Sequence, residues 1–317
     1  MRIVIIGCGS IGQRHLKNLL SMGHEVTGVD SSETVRHALW EELDVMVNPP
    51  DSKLIGVDAV LICTPPAAHL KNICEVANLG LPFFVEKPLG ANSKELKQLC
   101  CGYPEWVPTM VACNMRFHVG PATVKRLIDE GEIGESISAR FYTGSYLPTW
   151  RTGDYRQRYS ATIGAVLDCG SHELDLALWM LGPAKLKASL VRPATAIGLE
   201  CDGLAEMLLE HESGAMSSVH VNFIQSDYDR RIEVIGTKGS LKWNWNDLCV
   251  RIWKPGEKEH CLSFDSWRAE INQMYLDEMA HFLECVRDGK PTCNPISEAV
   301  KTFKLLMEVK HGGLVVT

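Results

Sequence analysis

A glycine-rich turn near the N-terminus restricts the possible folds of this chain more than any other feature. The segment Gly7-Cys8-Gly9-Ser10-Ile11-Gly12 follows a short apolar stretch, Arg2–Ile6, and opens a helical pattern, Ile11–Met22. In a strand–turn–helix unit, the first glycine permits a tight turn, the second lets the backbone approach a pyrophosphate, and the third allows close helix–strand packing. The helix N-terminus also offers free N–H groups to phosphates. The motif predicts a dinucleotide site, with a glycine turn that binds no ligand as the alternative. The predicted contacts are Gly7, Gly9, Ser10, Ile11 and Gly12.

A carboxylate at the end of the second strand-like segment indicates which dinucleotide would bind. Asp30 lies 18 positions after Gly12, where it can accept hydrogen bonds from ribose hydroxyls and repel a 2′-phosphate. NAD is therefore favoured, although NADP stays possible because Ser31, Ser32 and Arg36 lie close by. The alternative role for Asp30 is to cap a helix that begins near Ser32.

The order of strand-like and helical patterns predicts two domains in the 317 residues. Early in the chain, five nearly continuous apolar segments alternate with helical patterns, which is typical of a parallel sheet covered by helices. These segments are Arg2–Ile6, Glu25–Asp30, Asp58–Cys63, Phe83–Glu86 and Met110–Cys113. After about residue 120, strand-like stretches separated by turn residues favour antiparallel strands. We expect a Rossmann domain over residues 1–118 and an α+β domain with an open, mostly antiparallel sheet over residues 119–317.

Charge, apolar runs and cysteine spacing narrow the class of protein further. The net charge of −7 argues against a nucleic-acid or anionic-membrane partner. No apolar run approaches the roughly 20 residues of a membrane span, and the first apolar segment is too short for a signal peptide, so a cytoplasmic location is expected. The twelve cysteines include no C-x-x-C pair. They are expected to be free thiols or small buried hydrophobes, with neither disulfides nor a metal site.

Reactive side chains follow two of the expected parallel strands and precede a later helix. Thr64, Pro65 and His69 come after one strand, and Glu86 and Lys87 come after the next. Open α/β sheets bind ligands at these carboxyl ends, so these five residues are expected to contact the cofactor. Asp168 and His172 stand four positions apart at a helix entrance and would share one face. Taken singly, Lys87 would be a solvated lysine, Asp168 a helix cap and His172 a core histidine; their joint occurrence favours catalysis.

The ordered motifs resemble the Gfo/Idh/MocA family of glucose–fructose oxidoreductases and inositol dehydrogenases, nearly from end to end. The matching stretches are the glycine motif, Thr64-Pro65-Pro66, Glu86-Lys87-Pro88, Asn114-Met115-Arg116-Phe117, Gly131-Glu132-Ile133-Gly134, Asp168 to Asp175, and Ile235 to Ser240. Two departures affect the expected substrate pocket. Thr162-Ile163-Gly164 keeps only the last of three glycines, and Val119 replaces a common proline.

The resemblance implies a reaction and a role for each catalytic residue. His172 would take the proton of a substrate hydroxyl while hydride leaves the same carbon for the nicotinamide. Lys87 would contact that hydroxyl and the nicotinamide ribose, and Asp168 would orient His172. The resemblance also implies a cis Lys87–Pro88 peptide bond and a homodimer or homotetramer formed through the C-terminal sheet.

The loop of residues 146–159, in which three arginines alternate with aromatic residues, suggests the kind of substrate. Its arginines could bind a carboxylate or phosphate and its aromatics could stack on a sugar, whereas a solvated connection with internal ion pairs is the alternative. In the resembling family, similar loops accompany bacterial surface-sugar pathways. We therefore expect a sugar-like, anionic substrate such as a nucleotide sugar or a sugar acid. The expected substrate-binding residues are Arg116, Trp150, Arg151, Arg156 and Arg158.

Three other functions stay open at this point. The same fold serves glycoside hydrolases that use tightly held NAD, and it serves a regulatory protein that binds dinucleotide without turnover. It would also suit reduction of an imine or a pyrrole-type ring, because a fold does not determine chemistry.

Overall fold

The computed structural model describes residues 1–50, 52–99, 107–150, 163–312 and 314–315. The chain forms two compact units. The first comprises Met1–Ala112 and Tyr275–Val300, and the second comprises Cys113–Met274 and Lys301–Thr317. A stretch from late in the chain therefore belongs to the first unit.

The described residues of the first unit contain a six-stranded parallel sheet with the order β3-β2-β1-β4-β5-β6. The chain starts in the middle at β1, moves outward to β3 and returns to β4 on the other side of β1. This reversal creates the switch point at which doubly wound sheets bind ligands. The strands are β1 Arg2–Ile6, β2 Glu25–Val29, β3 Val47–Asn48, β4 Ala59–Ile62, β5 Phe83–Val85 and β6 Thr109–Val111. The helices between them are α1 Ser10–Ser21, α2 Glu33–Leu43, α3 Pro66–Asn78 and α4 Ser93–Leu99.

The second unit contains a nine-stranded sheet, again counting described residues, with the order β14-β13-β12-β11-β7-β10-β9-β8-β15. Neighbouring strands are antiparallel except β7 with β10 and β8 with β15. The strands are β7 Ser136–Tyr146, β8 Ala184–Pro193, β9 Asp202–His211, β10 Met216–Asn222, β11 Ile224–Gly236, β12 Ser240–Asn244, β13 Cys249–Trp253, β14 His260–Ser263 and β15 Leu314–Val315. The helices are α5 Asn114–Phe117, α6 Val119–Asp129, α7 Leu147–Trp150, α8 Ala165–Asp168 and α9 Gly170–Leu181. Two further helices, α10 Ile271–Asp288 and α11 Ile296–Gly312, each include residues of both units.

One face of this second sheet is buried and the other is open. Along β9, buried and accessible residues alternate strictly from Gly203 to His211, as expected of a sheet with one covered face. Helix α8 packs against β9, and α9 packs against β7 and β10. The covered face therefore carries the two helices that hold Asp168 and His172.

The predicted fold class is confirmed by both sheets. The local patterns missed the two-residue strands β3 and β15 and the strands β7, β8, β13 and β14. Among the residues that the structure describes, no helix is both long and apolar enough to cross a membrane.

The expectation that the chain has no disulfide was wrong, because Cys249 and Cys261 are disulfide-bonded. Cys249 begins β13 and pairs with Ser263 of β14, while Cys261 pairs with Arg251. The two cysteines thus lie diagonally on adjacent antiparallel strands with their Cα atoms 6.0 Å apart, a separation that suits a disulfide. The spacing of twelve residues matches no metal motif, and only the hairpin brings the two thiols together.

Candidate functional site

In the glycine loop between β1 and α1, the fold requires two of the glycines but not the third. Gly7 has φ of 91°, and a Cβ there would lie 2.7 Å from the backbone nitrogen of Thr64. A Cβ at Gly12 would overlap the carbonyl oxygen of Gly7. Gly9, by contrast, has φ of −71° and a Cβ there would meet no protein atom within 4 Å. Gly9 and Ser10 are exposed at the start of α1. The loop thus leaves open space where a pyrophosphate could approach the backbone, which fits a bound dinucleotide.

Asp30 follows β2 and connects the glycine loop to the start of α2. Its Oδ2 accepts a hydrogen bond from the backbone N–H of Cys8 at 2.7 Å, and its Oδ1 accepts one from Ser32 at 2.8 Å. The N-cap of α2 is Ser32, whose Oγ accepts from the N–H of Val35, so the capping role suggested for Asp30 belongs to Ser32. Arg36 donates to the carbonyls of Asp30 and Ser31. The carboxylate of Asp30 remains partly exposed beside the loop.

His69 connects the loops that follow β4 and β5. Its ring nitrogens lie 2.7 Å from the carbonyl oxygen of Thr64 and 2.9 Å from that of Pro88. Burial lowers the pKa of His69, and the side chain has no exposed surface. The structure therefore places His69 under these loops as a support and not at the surface where a direct cofactor contact was predicted. Thr64 and Pro65 are themselves accessible at the end of β4.

Glu86 and Lys87 follow β5, and the two side chains differ in exposure. Glu86 is buried and its Oε1 lies 2.7 Å from Nε2 of His15 on α1. Although burial raises it, the hydrogen bond and charge of His15 hold the pKa of Glu86 below its ordinary value. The N–H of Lys87 donates to Oε2 of Glu86, and the Lys87 side chain is partly exposed. The Lys87–Pro88 peptide bond is cis, as predicted. His15, which the sequence reasoning missed, thus supports the loop that carries Lys87.

Asp168 and His172 lie on a nearly continuous helical path. Asp168 ends α8, Gly170 begins α9, and Cys169 between them has helical φ and ψ of −83° and −40°. Residues four apart therefore face the same side. Both side chains are partly exposed, whereas Leu167 and Glu173 beside them are buried. The arrangement presents an acid and an imidazole together at the accessible side of a buried helix.

A buried ion pair between Glu173 of α9 and Arg230 of β11 was not predicted. Oε1 of Glu173 accepts hydrogen bonds from the hydroxyl of Thr143, at 2.6 Å, and from Nη2 of Arg230, at 2.5 Å. Although burial opposes it, the charge of Glu173 raises the pKa of Arg230. Tyr228 hydrogen bonds with Arg230 and is 42% exposed, and burial of its phenol raises its pKa. Tyr228 thus has an accessible side while its hydroxyl is held against the buried Arg230.

Arg116, expected to bind substrate, is already paired within the second unit. Its Nε and Nη2 donate to the two carboxylate oxygens of Asp175 at 2.8 and 2.6 Å. The two side chains are only 10% and 9% exposed, and the guanidinium also lies over the ring of Trp179. A bidentate, buried pair uses two of the five N–H donors of Arg116 and neutralises its charge. We therefore assign Arg116 to holding α5 against α9.

The first four residues of the arginine-rich loop, residues 146–149, end β7 and begin α7. Residues 151–159, which carry its arginines, lie outside the described residues, and only the backbone of Trp150 is described. The roles predicted for Trp150, Arg151, Arg156 and Arg158 therefore stay predictions. Within the described ranges, no group of three or more histidine, cysteine, aspartate or glutamate residues could hold a metal ion.

Comparisons with known proteins identify the family. A model described as "Oxidoreductase family, NAD-binding Rossmann fold" matches residues 1–101, and the GFO/IDH/MocA C-terminal domain matches residues 122–242. The scyllo-inositol 2-dehydrogenase (NAD(+)) of Bacillus subtilis strain 168 is 30% identical over 321 residues, covering 92% of this chain and 87% of that protein. The inositol 2-dehydrogenase 3 of Saccharopolyspora erythraea is 27% identical, covering 100% and 95%. A solved levoglucosan dehydrogenase in complex with NADH superposes with a TM-score of 0.84 at 17% identity, covering 98% and 97%.

The chain belongs to the GFO/IDH/MocA family of oxidoreductases. Its N-terminal part is an NAD-binding Rossmann domain, and the prediction of an NAD(P)-dependent dehydrogenase is confirmed.

Proposed function

We propose that this protein oxidises a secondary hydroxyl of a polyol or sugar, or performs the reverse reduction. The observation that carries the proposal is that Lys87, Asp168 and His172 are all present and are all partly exposed. The 30% identity to a scyllo-inositol 2-dehydrogenase over 92% of the chain supports a polyol or sugar as the substrate class.

Each of the three side chains has a distinct role in this proposal. His172 accepts the hydroxyl proton, because imidazole titrates near neutral pH and can return the proton in the reverse direction. Asp168, on the same helix face, orients the imidazole. Lys87 stabilises the negative charge that develops on the substrate oxygen. NAD supplies the hydride acceptor, and its pyrophosphate would be held by the backbone around Gly9.

We propose NAD rather than NADP as the physiological cofactor. The partly exposed carboxylate of Asp30 beside the glycine loop supports this choice, since it accepts hydrogen bonds from ribose hydroxyls and repels a 2′-phosphate. The nearby cation, Arg36, is engaged through Nη1 by two backbone carbonyls.

We also propose that the substrate carries an anionic group. This part of the proposal rests on Arg151, Arg156 and Arg158, which could bind a carboxylate or phosphate. If replacing each of these arginines by alanine leaves KM unchanged, the substrate is a neutral polyol or sugar.

We further propose a homodimer or homotetramer formed through the open face of the second sheet. Ile235, Ser138 and Met216 lie side by side on this face, and Leu208 lies on the same face of β9. Ile235, Met216 and Leu208 are each more than half exposed, which supports a covered face in an assembly. Light scattering of the purified protein would give the number of subunits.

The experiment that tests the proposed function follows nicotinamide absorbance with NAD⁺ and a panel of compounds. The panel contains neutral polyols and sugars, sugar acids and nucleotide sugars. The wild type should produce NADH with at least one class, Lys87→Met should lose this activity, and Lys71→Met, on the surface of α3, should keep it. Release of a free sugar from a glycoside without net NADH would identify a hydrolase instead. NAD binding with no turnover of any compound would favour a regulatory protein.

A further inference from the structure

Two cysteines in the first unit share one histidine, away from the residues proposed for catalysis. Cys285 and His281 lie on α10, and Cys293 lies in the segment that leads to α11. Sγ of Cys285 is 3.6 Å from Nε2 of His281, and the backbone N–H of Cys293 donates to the same nitrogen at 3.0 Å. The side chain of Cys293 also hydrogen bonds with His281. Both thiols therefore lie beside the same imidazole ring.

The two thiols have different surroundings. Cys293 is exposed, whereas Cys285 is 6% exposed and donates a hydrogen bond to the carbonyl oxygen of Pro291. Burial, followed by the charges of neighbouring groups, raises the pKa of Cys285. Cys285 is therefore a protonated, sheltered thiol, while Cys293 is accessible to a small oxidant and lies beside a base.

The segment that carries Cys293 is held firmly at the edge of the first sheet. The hydroxyl of Thr292 donates to the carbonyl oxygen of Thr109, and the amide side chain of Asn294 donates to that of Val111. The backbone of Asn294 in turn accepts from the N–H of Val111. Because both flanking residues are tied to β6, Cys293 is kept close to His281 and Cys285.

We infer that Cys293 and Cys285 form a hydroperoxide-reactive thiol pair, with His281 as its base. In the first step, His281 takes the proton of Cys293, and the thiolate attacks one oxygen of the hydroperoxide. The S–O bond forms, the O–O bond breaks, and the proton goes to the leaving oxygen, which departs as water or an alcohol. The Cys293 sulfur is oxidised by two electrons to a sulfenic acid and the peroxide is reduced.

In the second step, the neighbouring Cys285 forms a disulfide with Cys293. Its sulfur attacks the sulfenic sulfur of Cys293, the S–S bond forms, the S–O bond breaks, and water leaves with the proton of the Cys285 thiol. An exposed thiol beside a base and a resolving cysteine is the usual composition of such a site.

Peptide mapping of the intact protein tests the inference. The protein is treated with hydrogen peroxide for increasing times, its remaining thiols are alkylated, and its peptides are quantified by mass spectrometry. Cys74, an exposed thiol on α3, is the internal reference. The wild type should form a peptide pair linked through Cys285 and Cys293, and Cys293 should react at least about tenfold faster than Cys74, as expected for a larger thiolate fraction.

Three variants separate the steps. Cys285→Ser should stop at a sulfenic acid on Cys293 that dimedone traps, and Cys293→Ser should leave Cys285 reduced. His281→Asn should slow the oxidation of Cys293 about tenfold. Oxidation of Cys293 no faster than that of Cys74, or the absence of the 285–293 linked peptides from the wild type, would overturn the inference. The peptide map of the wild type tests the thiol pair even if a variant fails to fold. Its outcome does not depend on the proposed dehydrogenase activity.

Discussion

The carboxylate of Asp30 accepts a hydrogen bond from the backbone N–H of Cys8 at 2.7 Å. The residue at the end of β2 therefore fixes the glycine loop that follows β1. Because the same carboxylate is partly exposed, one side chain both shapes the loop and gives its surroundings a negative charge. If Asp30 selects NAD as proposed, the shape of the loop and the choice of cofactor depend on the same side chain.

Alanine substitutions at two glycines should separate cofactor binding from folding. Gly9→Ala introduces a Cβ into space that holds no protein atom within 4 Å, so the free energy of unfolding should change by less than about 0.5 kcal/mol. NAD affinity should fall about tenfold or more, because the methyl group would meet the pyrophosphate. Gly12→Ala places its Cβ against the carbonyl of Gly7 and should destabilise the protein by about 1–3 kcal/mol. Urea unfolding and calorimetric NAD binding measure both effects. Unchanged NAD affinity in Gly9→Ala would refute the assignment of this loop.

Asp30→Asn should change the choice of cofactor. The variant keeps an oxygen acceptor for one of the two backbone N–H groups but removes the charge that opposes a 2′-phosphate. The ratio of kcat/KM for NAD to that for NADP should fall about tenfold, equivalent to about 1.4 kcal/mol. Asp58→Asn is the control, because Asp58 also accepts from a backbone N–H, that of Arg2, but lies at the start of β4. An equal change of the ratio in both variants would show that Asp30 does not select the cofactor.

Loss of the charge on Asp175 should reveal whether Arg116 has a structural role. Asp175→Asn leaves a buried guanidinium without its ion pair, so the free energy of unfolding should fall by about 3 kcal/mol. In the matched variant Asp129→Asn, the lost partner is Lys125 in an exposed i,i+4 pair, and the cost should be below about 0.5 kcal/mol. Denaturant unfolding of both variants makes the comparison. Similar small losses in the two would leave Arg116 available for substrate.

The buried ring of His118 should make the protein less stable in mild acid. Burial, followed by the positive charge of Arg230, lowers the pKa of His118 from 6.5 to about 4. The unfolded state therefore takes up this proton at higher pH than the folded state does. The contribution of His118 is retained above about pH 6.5 and lost as the pH falls towards about 4. Between about pH 7.5 and about pH 5, this proton should cost the wild type about 2 kcal/mol of unfolding free energy.

His118→Gln isolates that contribution from those of the other histidines. Glutamine can still accept the hydrogen bond that the N–H of Gly120 donates to Nδ1 of His118 but does not titrate. The variant should start from a lower stability, since it loses the stacking of His118 on Trp245, and should lose about 2 kcal/mol less between the two pH values. The same pH dependence in both proteins would show that His118 already binds its proton in the folded state.

Features that are close in the sequence could be predicted, and pairs that are distant in it could not. The glycine loop and the shared face of Asp168 and His172 depend on a few adjacent residues, whereas the cis bond after Lys87 was implied by the family resemblance. His15 and Glu86 are separated by 71 positions, and Glu173 and Arg230 by 57. Periodicity shows that such residues are buried but not which partner satisfies their charge. For the same reason, the sequence does not show that Asp175, 59 positions from Arg116, binds its guanidinium.

The burial of His69 could not be predicted either. Its position one turn into a helix after β4 suggested contact with a ligand, whereas its two carbonyl partners come from two different loops. Only the alignment of β4 and β5 in the sheet brings Thr64 and Pro88 close enough to enclose the ring.

Transfer of a labelled hydride tests the central claim most directly. The active polyol or sugar from the panel is prepared with deuterium on the carbon that bears the reacting hydroxyl, and the NADH formed is analysed by mass spectrometry. The account predicts that each NADH gains one deuterium. It also predicts that Lys87→Met and His172→Asn each lower kcat by about 10²–10⁴, whereas Lys71→Met matches the wild type. NADH without deuterium, or full activity in Lys87→Met and His172→Asn, would contradict it.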